Sequence, residues 1–291
     1  MPDLSPTEPT FRECRWTSGD GLSLYYRDYP GSDERPPLLC LHGLTRNSRD
    51  FAEIAERYAG RFRVITLDFR GRGNSDRDPA PANYVPNVYA NDVLGVLDDL
   101  GIGKAIVFGT SLGGLVTMIL AALDGERVAG SILNDIGPDI DPEGLQRIGS
   151  YVGTQASFAD WNEAAAYAEG LSGGVPARFG RADWMRIARQ LCREQDGKVV
   201  LDYDRRIADA FKVEPSDPPF DMWPLFRALA AKPLLVLRGA LSDLLSAETA
   251  ERMAAAGPDV EIVTVAGIGH APWLDEPEVT AALDRFLQRW T

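Results

Sequence analysis

The sequence predicts an α/β protein with a mostly parallel sheet, flanking helices and an inserted helical segment. Three observations support this prediction. Short, wholly apolar runs such as Leu38–Leu41 are typical of strands buried on both faces of a parallel sheet. These runs alternate with helical patterns, which is the order of βαβ units. Between residues 138 and 226 the alternation gives way to helix-like pieces rich in aromatic residues.

The elements follow in a regular order along the chain. The segments 11–17 and 22–29 flank Ser18-Gly19-Asp20-Gly21, which indicates a β-hairpin. After the hairpin we expect strands at 38–41, 63–67, 105–108, 128–133, 233–239 and 260–265, and helices at 47–58, 88–100, 112–123, 246–256 and 277–290. Residues 1–137 and 227–291 should therefore form the α/β core, and residues 138–226 an inserted helical cap.

A serine in a glycine-rich turn follows the strand at 105–108. The segment Gly109-Thr110-Ser111-Leu112-Gly113 has the pattern G-x-S-x-G, typical of a nucleophile elbow that exposes a serine hydroxyl between a strand and a helix. Because Gly109 and Gly113 lack a β-carbon, the two arms of the turn can pass close together. The helix that begins at Leu112 directs backbone N–H groups toward negative charge beside the serine. For an isolated motif, an ordinary strand-to-helix turn is the alternative.

A nucleophilic serine needs a base and an acid that orients the base. The chain has only two histidines, and His270 follows the last predicted strand. Asp243 follows the strand at 233–239, so Ser111, Asp243 and His270 each come at the carboxyl end of a strand and should share one edge of the sheet. We therefore predict Asp243 as the acid. Asp135, at the end of the strand after the elbow helix, is the alternative.

Taken together, these motifs resemble the α/β-hydrolase superfamily, specifically its capped serine hydrolases. Two further motifs support the resemblance: His42-Gly43 after a strand, and the sequence D-x-R-G-x-G-x-S at 68–75. The resemblance covers most of residues 11–137 and 227–291. It implies a Ser111–Asp243–His270 catalytic triad, and an oxyanion hole formed by the backbone N–H groups of Leu44 and Leu112.

Two residues are candidates for substrate contact. Trp273, three residues after His270, should line the pocket. His42 is the second candidate, although a structural role that shapes the oxyanion loop explains it more simply. Arg70 and Arg72 are expected to stabilise their own loop, with contact to a substrate acid as the alternative.

Composition excludes several classes of protein. A net charge of −13 argues against nucleic acid or an anionic membrane as a partner. Three widely spaced cysteines indicate a reducing compartment, and neither a signal peptide nor an apolar run of membrane-spanning length is visible, so we expect a cytoplasmic protein. No metal-ligand spacing, phosphate loop or dinucleotide motif is readable, so we expect no metal and no cofactor. The sequence leaves the oligomeric state open.

The resemblance implies a carboxylesterase that cleaves small to medium, largely apolar esters through an acyl-enzyme. The alternatives are a C–C bond hydrolase of aromatic ring-cleavage products, a lactonase or a perhydrolase. Family members that act as dehalogenases or epoxide hydrolases have aspartate where Ser111 stands, so the sequence departs from them. A ligand receptor on the same fold is the non-enzymatic alternative.

Overall fold

An eight-stranded, mostly parallel sheet forms the centre of the protein. The computed structural model describes residues 11–154, 157–172, 174–176, 178–212 and 220–291; the parts of the predicted core and cap at 1–10, 155–156, 173, 177 and 213–219 lie outside the described residues. The strands are β1 (Arg12–Thr17), β2 (Ser23–Tyr29), β3 (Leu38–Leu41), β4 (Val64–Leu67), β5 (Ala105–Thr110), β6 (Val128–Asn134), β7 (Cys192–Gln195), β8 (Lys198–Leu201), β9 (Leu234–Gly239) and β10 (Val260–Val265).

The sheet has the order β1-β2-β4-β3-β5-β6-β9-β10. The pairs β1–β2 and β2–β4 are antiparallel, and every later pair is parallel. The carboxyl ends of β3, β5, β6, β9 and β10 therefore meet at one edge, with β5 between β3 and β6. This topology brings the residues that follow these strands into one region.

Helices cover both faces of the sheet. They are α1 (Ala52–Tyr58), α2 (Pro86–Asp99), α3 (Leu112–Leu123), α4 (Pro142–Tyr151), α5 (Trp161–Leu171), α6 (Arg181–Leu191), α7 (Trp223–Ala230), α8 (Ala247–Ala254) and α9 (Pro277–Leu287). Apolar residues of α1 and α9 share one buried cluster with one face of the sheet, and those of α2, α3 and α7 pack in a second cluster. The fold class predicted from the sequence is confirmed.

The chain between β6 and β9 adds no strand to the large sheet within the described residues. It contains α4, α5 and α6, the hairpin β7–β8, a 3-10 helix at Arg205–Lys212, and α7. The hairpin differs from the expectation of helical pieces alone. Its turn, Asp196-Gly197, has positive φ angles of 50° and 74°, which suit a tight two-residue hairpin, and Asp-Gly is a sequence signal for such a turn. The cap boundaries stay a prediction, since α7 crosses residue 226 and packs on α3.

Candidate active site

Ser111 occupies a strained turn between β5 and α3. Its φ of 51° and ψ of −114° are unusual for a residue with a side chain, and such strain is concentrated at functional sites. The Ser111 N–H donates to the carbonyl of Asn134 at 3.0 Å, which holds the turn against the end of β6. The predicted elbow geometry is therefore present.

The glycines of the elbow allow two close backbone approaches. A β-carbon on Gly109 would lie 2.4 Å from the carbonyl carbon of Gly113. A β-carbon on Gly113 would lie 2.0 Å from the carbonyl oxygen of Leu41, at the end of β3. Both separations are far inside van der Waals contact, so larger residues at either position would force the helix away from the sheet.

His270 connects Ser111 to a buried carboxylate. Its Nε2 lies 3.0 Å from Ser111 Oγ, and its Nδ1 lies 2.7 Å from Asp135 Oδ2. In the tautomer that donates Nδ1–H to Asp135, Nε2 accepts the serine proton. The histidine loop is also tied to β6, because the Asn134 side-chain amide donates to the carbonyl of Pro272 at 3.0 Å.

Asp135 is held by three hydrogen bonds and is fully buried. The Gly239 N–H donates to Oδ1 at 2.7 Å, and the Ser242 hydroxyl donates to Oδ2 at 2.5 Å, the oxygen that also faces His270. Asp135 itself follows β6 with a φ of 59°. Both donors come from the neighbouring strand end of β9, so the adjacency of β6 and β9 orients the carboxylate.

The structure differs from the predicted position of Asp243. Its carboxylate forms a bidentate ion pair with Arg147 of α4, in which Arg147 Nη2 donates to Oδ1 at 2.9 Å and Nε donates to Oδ2. Arg147 holds the pKa of the Asp243 carboxyl below its usual range. The carboxylate within hydrogen-bond distance of His270 is therefore that of Asp135, the alternative from the sequence, while Asp243 pairs with Arg147.

The loop after β3 lies against the elbow. The Arg46 N–H donates to the Gly43 carbonyl at 3.2 Å, which folds Gly43–Arg46 into a turn, and Arg72 Nε donates to the Leu44 carbonyl at 3.0 Å. Leu112 is the first residue of α3, where a backbone N–H has no partner within the helix. Of the two predicted oxyanion residues, Leu112 directly follows Ser111 and Leu44 lines the same cavity as Ser111.

His42 and the two predicted loop arginines have structural contacts. His42 is fully buried, and its Nδ1 lies 2.7 Å from the Gly43 carbonyl oxygen. Its Nε2 accepts a hydrogen bond from the Phe69 N–H at 3.1 Å. Burial lowers the pKa of His42 to about 3. Arg70 contacts three aspartates, at positions 20, 78 and 92. These contacts fit the structural role for His42, beneath the oxyanion loop, rather than a substrate contact.

A cavity of about 210 Å³ opens onto Ser111 and His270. Trp273 lines it and packs against Phe179 and Trp184, from the chain between β6 and β9, at ring-centroid distances of 5.0 and 6.0 Å. This volume is below the roughly 300–1,000 Å³ of pockets for drug-sized ligands. The cavity therefore suits a small substrate.

Charged residues also line the cavity. Arg46 lies in the loop after β3 and Asp50 in the 3-10 helix Ser48–Phe51 that follows it, while Arg186 of α6 pairs with Glu53 of α1 at 2.9 Å. Arg186 could be named from the sequence as one possible cation for a substrate acid, but its direction could not, because the orientation of α6 depends on its packing. The expectation of a largely apolar substrate does not account for these charged side chains.

No helix in the described part of the chain has the length and apolar character needed to span a membrane. Within the same residues, no three His, Cys, Asp or Glu side chains are grouped to hold a metal ion.

A nucleophile elbow at the edge of this sheet, with a histidine and a buried aspartate beside the serine, defines an α/β hydrolase. The chain belongs to the alpha/beta hydrolase family, whose model matches residues 38–283. It is 47% identical to an alpha/beta hydrolase from Novosphingobium aromaticivorans of known crystal structure, with a TM-score of 0.92 over 97% of this chain and 100% of that one.

Two relatives that align over most of their length are hydrolases. A 3-hydroxybutyrate-oligomer hydrolase from Cupriavidus necator is 35% identical over 86% of this chain and 87% of its own length. A 2-(acetamidomethylene)succinate hydrolase from Mesorhizobium japonicum is 31% identical over 84% of this chain and 85% of its own length. The chain is thus a member of a hydrolase family whose relatives are named for different substrates.

Proposed function

We propose that the protein is a carboxylic-ester hydrolase that works through an acyl-enzyme on Ser111. His270 takes the serine proton as the hydroxyl attacks the ester carbonyl, and Asp135 stabilises the resulting imidazolium. The N–H groups of Leu44 and Leu112 bind the oxyanion. His270 then donates its proton to the leaving alcohol, and a water activated by His270 releases the acid.

The observation that carries this proposal is the continuous hydrogen-bonded chain from Ser111 through His270 to Asp135, with contacts of 3.0 and 2.7 Å. A serine–histidine pair within hydrogen-bond reach, with the base oriented by a third group, is the arrangement that activates a hydroxyl nucleophile. The strained backbone of Ser111 supports the same role.

For the substrate, we propose a short linear ester of a hydroxy acid. The similarity to the 3-hydroxybutyrate-oligomer hydrolase over nearly the whole chain supports this class. The small cavity favours a dimer or trimer over a long polymer. Apolar residues such as Ile54, Ile148 and Leu191 offer contacts to the short alkyl branches of such an ester.

Cleavage of a C–C bond is the second candidate. A vinylogous diketone acid needs a cation near the serine, and Arg46 and Arg186 line the cavity. Lactones use the same acyl-enzyme chemistry and belong in the same comparison, as does perhydrolysis. A receptor would bind its ligand without turnover, so a burst of product from an aryl ester distinguishes an enzyme from a receptor.

The test combines labelling with a substrate panel. A fluorophosphonate should add one label at Ser111, and Ser111→Ala should lose the label and at least about 10⁴-fold in kcat. Thr110→Val, which removes the neighbouring hydroxyl from the same cavity, is the matched control and should keep the label. The panel contains 3-hydroxybutyrate dimers, p-nitrophenyl esters, a lactone and a ring-fission diketone. Strong cleavage of the diketone with feeble ester turnover would replace the esterase proposal by C–C hydrolysis.

A further inference from the structure

Arg46 stands beside the nucleophile, on the loop that also carries Leu44. A β-carbon placed on Gly43 would lie 3.4 Å from Arg46 Cγ and 3.8 Å from Ser111 Cβ. Arg46 Cγ and Ser111 Cβ therefore lie within about 7 Å of each other, and both residues line the cavity. A small substrate in this cavity can therefore contact Ser111 and the Arg46 guanidinium together.

Asp50 fixes the orientation of this guanidinium. Arg46 Nε and Nη2 donate to the two carboxylate oxygens of Asp50 at 2.5 and 2.7 Å. A guanidinium has five N–H groups, so this bidentate pair leaves three, of which one on Nη1 and one on Nη2 point along the Nη1–Nη2 edge. In the part of the chain that the structure describes, no protein acceptor contacts Nη1.

The free edge has the geometry for a second carboxylate. A guanidinium binds a carboxylate through two parallel N–H donors, and such charge-assisted pairs are stronger than neutral hydrogen bonds. The Arg46 and Asp50 side chains are 24% and 16% exposed, so the pair is shielded from bulk solvent but still borders the cavity. Asp50 holds the arginine in one conformation before a ligand arrives, which lowers the entropic cost of binding.

The other arginines near the site are less suited to this role. Arg186 lines the same cavity, but it is 38% exposed and lies near two carboxylates, Glu53 at 2.9 Å and Asp183 at 3.8 Å. Arg147 forms its bidentate pair with Asp243. Arg46 therefore combines proximity to Ser111 with an unused donor edge.

We infer that Arg46 binds a carboxylate of the substrate, so that the enzyme selects esters carrying a free acid a few bonds from the scissile carbonyl. This inference rests on the proposed ester-hydrolase function and adds a specificity for the substrate. Asp50 acts as a positioning residue for Arg46, and the reaction at Ser111 is unchanged. A neutral ester of the same size would leave the donor edge of Arg46 without a partner.

The test measures binding without turnover. In a Ser111→Ala background, calorimetry gives the Kd of the linear 3-hydroxybutyrate dimer as the free acid and as its methyl ester. The free acid should bind about 10–100-fold more tightly than the methyl ester, and Arg46→Met should reduce this ratio to below about threefold. Arg186→Met is the matched control and should change the ratio by less than about threefold. Raising the salt concentration should also reduce the ratio.

The role of Asp50 has its own readout. Asp50→Asn should weaken binding of the free acid more than that of the methyl ester, since the guanidinium loses its fixed orientation. Equal binding of the two dimers by the Arg46-containing protein would overturn the inference, and so would an equal loss of preference in Arg186→Met. Failure of fluorophosphonate labelling and aryl-ester turnover in protein with Ser111 intact would instead overturn the proposed function.

Discussion

Replacing Asp135 by asparagine tests which aspartate assists His270. The Gly239 N–H donates to Asp135 Oδ1 at 2.7 Å, so an asparagine keeps its carbonyl oxygen there and directs its NH₂ group toward His270. The amide then donates to Nδ1, and the imidazole must carry its proton on Nε2. In this tautomer Nε2 cannot accept the proton of Ser111.

The wrong tautomer should lower kcat by roughly 10⁴-fold, which corresponds to about 5 kcal/mol of transition-state stabilisation. Asp243→Asn should lower kcat less than about tenfold, because it removes only an ion pair whose side chains are both about one-third exposed. Steady-state hydrolysis of p-nitrophenyl butyrate gives both numbers. Urea unfolding of each variant shows whether the fold is intact.

Ser242→Ala provides a milder change at the same carboxylate. It removes one donor to Asp135 Oδ2 while the histidine contact remains, and we expect a loss of about tenfold in kcat. A loss of 10³-fold or more in Asp243→Asn, together with a small effect of Asp135→Asn, would refute the assignment. The acid would then be Asp243, as the sequence first suggested.

Three further predictions concern stability and the elbow. Arg70→Met should lower the free energy of unfolding by about 3–5 kcal/mol in urea, because it leaves two almost fully buried carboxylates unpaired, while the exposed Arg289→Met should cost below about 1 kcal/mol. Burial lowers the pKa of His42 from 6.5 to about 3, so the unfolded chain binds more protons than the folded one below pH 6.5. His42 should therefore lower the free energy of unfolding by about 2 kcal/mol between pH 7 and 5. The fall over this pH range should be smaller in His42→Asn. Gly109→Ala should abolish fluorophosphonate labelling, because its β-carbon would lie 2.4 Å from the Gly113 carbonyl carbon; normal labelling would contradict the close approach.

The sheet and the elbow could be predicted from the sequence because each depends on residues that are close together in the chain. A buried parallel strand has to be a short apolar run, and a strand-to-helix turn this tight has to place glycine at fixed offsets from the serine. The structure accordingly has β5 at Ala105–Thr110 and α3 at Leu112–Leu123, close to the predicted bounds. The hairpin at Cys192–Leu201 was missed, although its Asp-Gly turn was readable.

The acid could not be chosen from the sequence, because two aspartates follow neighbouring strands at the same edge. Asp135 and Asp243 both come after a strand end, and chain order permits either. What separates them is a contact across 96 residues, in which Arg147 of α4 binds Asp243. Asp135 instead accepts a hydrogen bond from the Gly239 N–H, because β6 and β9 are adjacent. The pairing of strands and the packing of α4 thus decide the partner of His270.

The residues around the substrate also divide into those positioned by the sheet and those positioned by loops. Ser111 and Asp135 follow the ends of adjacent parallel strands, so their positions depend on the sheet, which the sequence specifies strongly. The position of the Arg46 guanidinium depends on a turn after β3 and on the carboxylate of Asp50. Residues of α6, between β6 and β9, line the same cavity. Changes in those loops can alter which substrate is bound while the serine, histidine and aspartate stay in place. Relatives on this fold that act on different substrates are consistent with that separation.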